Sequence, residues 1–430
     1  MRRFLVVFLA SALGFVLGQG VREAGMGGVL LPGIAGAEKN PAYAALGQPF
    51  GPSTYTLPLG ALGMLLPDRS PLYYFLDPST FYQSFDLASF LDQASAPNTL
   101  LLNPAKSPEE VVIELSADGI RITDGKGNPL SLQGGAGVSR RSGGLVPPTL
   151  FRVPFDLGTG IAGSVGVFLG SDGVALEPDA ALSRLLAGGG LEPNQTYALT
   201  ARGSASGGLA LDFAFAQPLP LPGVPGTLYL GARGQAFLGL LRLDARVTHR
   251  VTTDDQAKPA NRETETRTFY VYPGQGIGYG GQVDLGLAYA EADWVVGLGV
   301  KNALGFATWQ GTEEVRTDGG STTTPKTETQ FGFDPAIYLS GAGYVPLEEG
   351  GRLLLASDLG YDGAIFGHLG AEYPIGPSRV RAGIGYDRGL VLGTGAGFEL
   401  GPLRLDLALT GRTSPWDGHL AFGLQAGIGF

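Results

Sequence analysis

The chain contains no cysteine. That excludes a disulfide framework, a thiolate metal site and a cysteine nucleophile. Histidine is nearly as scarce: His249, His368 and His419 are far apart in sequence and give a histidine-based metal centre little to build on. Charged residues make up 16% of the chain, against about 25% in an ordinary globular domain. The net charge of −10 has the wrong sign for a nucleic-acid-binding surface. No GxSxG, HExxH or phosphate-binding loop occurs. The acidic pairs Asp254-Asp255, Glu313-Glu314 and Glu348-Glu349 lie in polar stretches that read as solvated loops. No enzyme activity, metal or cofactor is expected. Beyond the N-terminus, no apolar run reaches the ~20 residues that a membrane-crossing helix needs.

Residues 1–20, "MRRFLVVFLASALGFVLGQG", read as a secretory signal peptide. Two arginines precede an apolar run from Phe4 to Leu17, and Gly18 and Gly20 supply the small residues of a cleavage site after Gly20. The run is too short for a membrane anchor.

Glycine is abundant, 71 of 430 residues, without a collagen-like period. Its distribution goes with a second pattern. In "PLRLDLALTGR", Leu403, Leu405, Leu407 and Leu409 alternate with Arg404, Asp406, Ala408 and Thr410. The same period of two runs through residues 283–301, 365–373, 380–387, 392–400 and the C-terminal "HLAFGLQAGIGF". Alternation of this kind is strand, with one apolar face. A soluble sandwich would hide the apolar face and expose a charged one. Here the other face is mainly glycine, alanine and isolated charges, which suits a crowded interior. The expected fold is therefore all-β: a transmembrane antiparallel β-barrel of about fourteen strands, each of ~9–11 residues, apolar outside and small or polar inside.

Counting back from a C-terminus on the inner side places the turns. Outer connections fall at 411–418, 387–389, 362–363, 317–326 and 251–265. Inner turns fall at 400–402, 374–377, 346–351, 291–292 and around Gly239. The two long polar inserts, "TTDDQAKPANRETETR" and "TDGGSTTTPK", then both lie outside, as barrel loops do. Earlier strands are expected near 226–238, 197–215, 160–169 and 54–65. The connection Gly170–Gln195 is too long for its inner position and should hold a small helix near Asp179–Leu186.

Residues 21–50 lack alternation and form an N-terminal plug or hatch, with 51–430 the barrel. Residues 66–155 form a large external insertion. It should carry a helix capped by Ser79 and a hairpin over "VVIELSADGIRITDGKGNPLSL", marked by Asp118-Gly119 and Asp124-Gly125.

The segment "REAGMGGVLLPGIAGAEKNPAYAALG" (22–47) resembles the opening of the outer-membrane transporters of hydrophobic compounds, the FadL-type long-chain fatty-acid transporter family. Ala24-Gly25-Met26-Gly27-Gly28 and Asn40-Pro41-Ala42 carry the resemblance; Tyr43-Ala44-Ala45 departs from it. "VDLGLAYAEADWVVGLGVKNAL" (283–304) and "LGAEYPIGPSRVRAGIGYDRG" (369–389) add to it. The resemblance implies a hatch folded into the lumen, with Gly25, Gly27, Gly28, Asn40 and Pro41 as its turn-forming residues. It also implies passive uptake of hydrophobic small molecules such as fatty acids. Relatives of this pattern also scaffold secretion or plasmid transfer, so a structural envelope barrel is the alternative, and a general porin a second one.

Strand parity points Arg352, Glu372, Arg379, Arg381, Glu399, Arg404 and Asp406 inward near the inner turns. Mixed signs in such a place call for mutual pairing. The belt would tie strands to the hatch, or guide an anionic head group. Phe81, Tyr82, Phe85 and Phe90 offer an external capture surface, or form the insertion's own core. The terminal Phe430 resembles the aromatic signal read by the barrel-assembly machinery. The expected partners are outer-membrane lipid, a hydrophobic small molecule and that machinery, with no nucleic acid, for a monomer in the bacterial outer membrane.

Overall fold

The computed structural model describes residues 20–51, 54–57, 59–63, 66, 89, 92–93, 96, 98–106, 111–116, 119–124, 149–156, 161–186, 188–317, 319–332, 335–347, 351–414 and 418–429. Residues 1–19 of the expected signal peptide, Ser79, Phe81, Tyr82, Phe85, Phe90 and Phe430 lie outside these residues.

The chain is all-β, and its described residues are dominated by one antiparallel sheet of 17 strands. In chain order these are β1 (Tyr55–Thr56), β2 (Leu100–Leu101), β5 (Thr149–Asp156), β6 (Ile161–Pro178), β7 (Thr196–Pro220), β8 (Thr227–Thr253), β9 (Pro259–Val271), β10 (Ile277–Ala290), β11 (Trp294–Thr317), β12 (Gly320–Gly332), β13 (Ala336–Pro346), β14 (Arg352–Tyr361), β15 (Ile365–Ile375), β16 (Ser378–Asp387), β17 (Leu390–Leu400), β18 (Leu403–Thr413) and β19 (Leu420–Gly429). β3 (Val111–Ser116) and β4 (Gly119–Asp124) form the expected hairpin, apart from the sheet. Helices α1 (Val21–Gly25), α2 (Leu59–Gly63) and α3 (Ala180–Leu186) are short.

Seventeen segments occupy fewer lanes. β9 and β10 both pair with the same side of β8, at Arg242–Thr253 and Thr227–Gly239 respectively, so they are collinear. β12 and β13 likewise share one side of β11. β1 and β2 share the edge of β19, at Gly427–Ile428 and Gly423–Leu424. Merging these three pairs leaves fourteen lanes among the described residues.

Five expectations change. Gly239 is no turn; it lies within β8, opposite Gly278, where a Cβ on either glycine would enter the ring of Trp309. The inner turn is Leu221–Gly226 instead, so Pro178–Thr196 moves to the outer end, where its length fits. Asp179 caps α3 there, accepting from the Leu182 N–H at 2.7 Å. The polar inserts are not loops either. Thr253 and Pro259, and Thr317 and Gly320, end long hairpins that continue the strands. The strand expected over 54–65 is two residues of β1 followed by α2. Finally, β2 and β5 bring parts of 66–155 into the wall, pairing with β19 and β6.

The lanes are unequal. β13–β19 run 10 or 11 residues each. β7, β8 and β11 run 25, 27 and 24. At ~3.3 Å per residue the long strands extend on the order of 50 Å further along their own direction.

On the outer face, large aliphatic side chains stand exposed and directly opposite one another. Leu230, Leu287, Leu298, Leu339 and Leu359 form one such row across β8, β10, β11, β13 and β14. Leu369 and Ile384 pair across β15 and β16, and Leu409 and Leu424 across β18 and β19. Exposed Trp294 marks the rim where the chain ends, and exposed Tyr361 and Tyr386 mark the other. The inner face is closed by residues 20–50. α1 packs on β16–β19, and the 3-10 turn Pro41–Leu46 packs on β7, β8, β10 and β11. One short segment touching both flanks requires the sheet to curl around it, which makes it a barrel.

Candidate functional site

The interior is where charge and unusual backbone concentrate. Its base is two patches of glycine. On β15–β17, a Cβ added to Gly370, Gly383 or Gly393 would run into the backbone of Ala24–Gly27. On β8, β10 and β11, one added to Gly231, Gly286, Gly297 or Gly299 would meet Lys39, Asn40, Pro41, Ala42 or Tyr43. Backbone therefore lies on backbone, which only glycine allows. Gly27 adds a φ of +76°, conformationally strained for other residues, while its own missing Cβ faces Gly383 and Ile384. Gly25 abuts Gly395, and Gly28 lies beside His368.

Side chains then latch the segment. Arg22 of α1 reaches Glu372 with two hydrogen bonds, Nε at 2.9 Å and Nη2 at 2.7 Å. Arg381 donates to the same carboxylate at 2.7 Å and to Asp406 at 2.5 Å. Thr54 donates to the other Asp406 oxygen at 2.8 Å. All four charged groups are buried. Two guanidiniums and two carboxylates interleave, so each charge keeps a partner of opposite sign, the condition under which buried ions are tolerated. Glu23, beside Arg22, is also buried, and its Oε2 has no hydrogen-bond partner. Burial pushes its carboxyl upward from 4.5, against Arg22 and Arg381 pulling it down.

Further along, the Leu30 N–H donates to Asp358, which also holds His368 at 2.7 Å. Asn40 caps the turn by accepting from the Ala42 N–H at 3.1 Å, and donates to the Leu287 carbonyl at 3.0 Å. Pro41 follows it at the first turn position. The Tyr43 hydroxyl pairs with Ser340 Oγ at 2.6 Å, and Lys39 lies 5.3 Å from the Tyr338 ring centre. Met26, Val29, Leu31, Tyr43 and Phe50 pack with Ala288, Val295, Ala342, Leu354 and Ala356 of the wall.

The seven belt residues are thus sorted by height. Glu372, Arg381 and Asp406 meet at the segment. Arg379 and Glu399 pair at 2.7 Å nearer the rim, with Arg404 3.6 Å from Glu399 and all three part-exposed. Arg352 stands apart: it begins β14, half-exposed, pairs with Asp293 and lies 4.4 Å from the Tyr344 ring centre. Its parity points inward, but the strand end carries it past the segment.

Sequence reasoning missed Arg22, Thr54, Asp358 and His368. An Arg-Glu pair at 22–23 inside a small, apolar stretch was the available signal. It also missed a second polar cluster: Arg233 donates to Asp212 at 2.7 Å, Ser164 adds to Asp212 at 3.2 Å, and the Asn302 N–H reaches Asp284 at 2.8 Å. Asn302 adopts φ +52°, at the register shift between Val283 and Leu285.

No family model matches the chain, and no curated protein matches it. Solved structures that resemble it are barrels. A mutant of TodX, titled a monoaromatic hydrocarbon channel, is 12% identical with a TM-score of 0.27, covering 63% of this chain and 89% of that one. A mutant of the Rh. blastica porin is 10% identical with a TM-score of 0.22, covering 54% and 90%. The ferric yersiniabactin uptake receptor FyuA from Yersinia pestis is 12% identical with a TM-score of 0.21, covering 65% and 62%. At these scores nothing about binding passes from them to this chain.

Proposed function

We propose that the protein is a channel of the bacterial outer membrane for passive uptake of hydrophobic small molecules, with residues 21–50 as its hatch. The membrane assignment rests on the outer face. Exposed leucines stand in register from β8 to β14, and exposed aliphatic pairs continue on β15–β19, whose strands run 10 or 11 residues; apolar residues so widely shared on an outer face suit lipid better than water. Aromatic side chains at both rims suit the headgroup levels.

One observation carries the choice of cargo: the lumen is filled at the hatch by a packed segment latched through buried ions, with Val21, Met26, Val29 and Tyr43 at 0% exposure. A water-filled porin needs that space open. A barrel that binds apolar compounds and releases them without bulk water flow does not.

The test is native mass spectrometry of protein purified in mild detergent, paired with uptake of a radiolabelled fatty acid into proteoliposomes. Bound hydrophobe and hatch-dependent uptake are the expected outcome. Repeated absence of any hydrophobe, with a stable protein partner instead, would replace this reading by that of an envelope scaffold. Free passage of small sugars would replace it by that of a porin.

A further inference from the structure

The long lanes carry a feature that the hatch does not use. On the interior face of the extension, Arg202 of β7, Arg246 of β8 and Arg267 of β9 are directly opposite one another in register. Adjacent strands lie about 4.8 Å apart, so three guanidiniums form a short row across three lanes. All three are exposed. Like charges placed directly opposite on a sheet work against the pairing unless something neutralises them.

Two of the three have a carboxylate. Arg202 pairs with Glu177 at 2.6 Å, and Arg267 with Glu265. Glu265 is shared, since Arg250 also reaches it at 3.2 Å. Other nearby acids are engaged below: Glu313 and Glu328 take Lys326 at 2.5 and 3.0 Å, and Asp244 lies 3.5 Å from Arg242. Arg246, in the middle, has no ion pair among the described residues. The same face leads down to Arg242, over the rings of Trp309 at 5.1 Å and Phe269 at 6.0 Å, and to Phe168 and Phe237 packed behind them.

We propose that Arg202, Arg246 and Arg267 form a binding site for an oxyanion group, carboxylate or phosphate, with Arg246 its central contact. Guanidinium is suited to it: a planar fork gives paired, charge-assisted hydrogen bonds to either group. The cargo admitted would then include apolar molecules with an anionic head. The inference rests on the channel reading only in placing this face toward the medium; the row itself does not depend on transport.

The test is equilibrium binding by calorimetry to full-length protein in a neutral detergent, with dodecyl phosphate, dodecanoate, dodecanol and inorganic phosphate as probes. The two anionic amphiphiles should bind more tightly than dodecanol. Arg246→Gln should weaken both roughly tenfold or more, the loss of one charge-assisted contact, and leave dodecanol unchanged. Arg246→Lys should retain part of the affinity, and raised salt should weaken the anionic probes alone. Inorganic phosphate bound as tightly as dodecyl phosphate would assign the site to free anion instead of an amphiphile's head. Equal affinity for dodecanol, or anionic binding unmoved by Arg246→Gln in a correctly assembled barrel, would overturn the proposal. Anion binding with no uptake in liposomes would leave the site standing and sink the channel reading.

Discussion

Replacing Arg22 by methionine tests whether buried ions hold residues 21–50, the proposed hatch, against the wall. The substitution keeps most of the side-chain volume and removes both hydrogen bonds to Glu372. Glu372 keeps Arg381 at 2.7 Å, and Arg379 lies 4.0 Å away. The carboxylate is not stranded, so the cost falls at the low end for a broken buried pair, about 3 kcal/mol. That energy is local, since the wall strands pair through their own backbone. Opening of the hatch should become more frequent by about a hundredfold. Hydrogen exchange followed by mass spectrometry reads this directly. Amides of residues 24–43 should exchange correspondingly faster, while β15–β18 keep their protection. Unchanged exchange in the hatch would refute the latch. Equal loss of protection in hatch and wall would show that the network stabilises the barrel as a whole.

Glu23 gives the pH dependence its sign. Burial raises its folded value above the ordinary 4.5. Below that ordinary value both docked and released hatch carry the proton, and docking is at full strength. As pH rises past it, the released form ionises first, so docking weakens with rising pH. Hatch protection, corrected for intrinsic exchange, should fall from pH 4.5 upward, and Glu23→Gln should flatten the curve. Gly383→Val places a side chain where Met26 lies; overpacking of about 1–3 kcal/mol should release α1 and raise single-channel conductance without loss of barrel heat stability. Leu298→Arg, in the middle of the outer leucine row, should cost about 2–4 kcal/mol of folding free energy in lipid bilayers, measured by urea titration, while Thr312→Arg on the extension should cost nothing comparable. Arg412→Met removes the 2.5 Å bond to Asp92, which keeps the Ala105 N–H at 2.9 Å, and should speed amide exchange in residues 98–106 while β16–β18 keep their protection.

Much of the fold was legible because one rule governs it. Along β14–β19 most alternate residues are apolar, with breaks at Ser357, Gly367 and Thr394, and period two means strand. The rule failed where its premise did. In "NRETETRTF" both faces are polar, so the upper hairpins read as loops, although their backbone pairing is as regular as below. Glycine misled at Gly239, where a residue that usually signals a turn serves instead to admit the Trp309 ring. Parity correctly faced Glu372, Arg381 and Asp406 inward. It could not supply height along the strand, which separates them from Arg352. It also could not supply Arg22, because contacts between the plug and the wall span some 350 residues of sequence and leave no periodic trace.

The unequal lanes give the molecule a front and a back. In the proposed orientation, β14–β19 end level with the membrane, while β7, β8 and β11 stand far above it. A solute arriving over the low side meets an upright screen before it meets the opening, and the screen's inner surface is the one bearing the arginine row. Neighbouring proteins crowding the membrane can press against the low side without blocking that approach. The tall side, by contrast, shields the mouth from whatever lies behind it. A barrel with a level rim is open to its surroundings from every direction; this one is open to a sector, and in the channel reading its selectivity starts with the direction from which it can be reached.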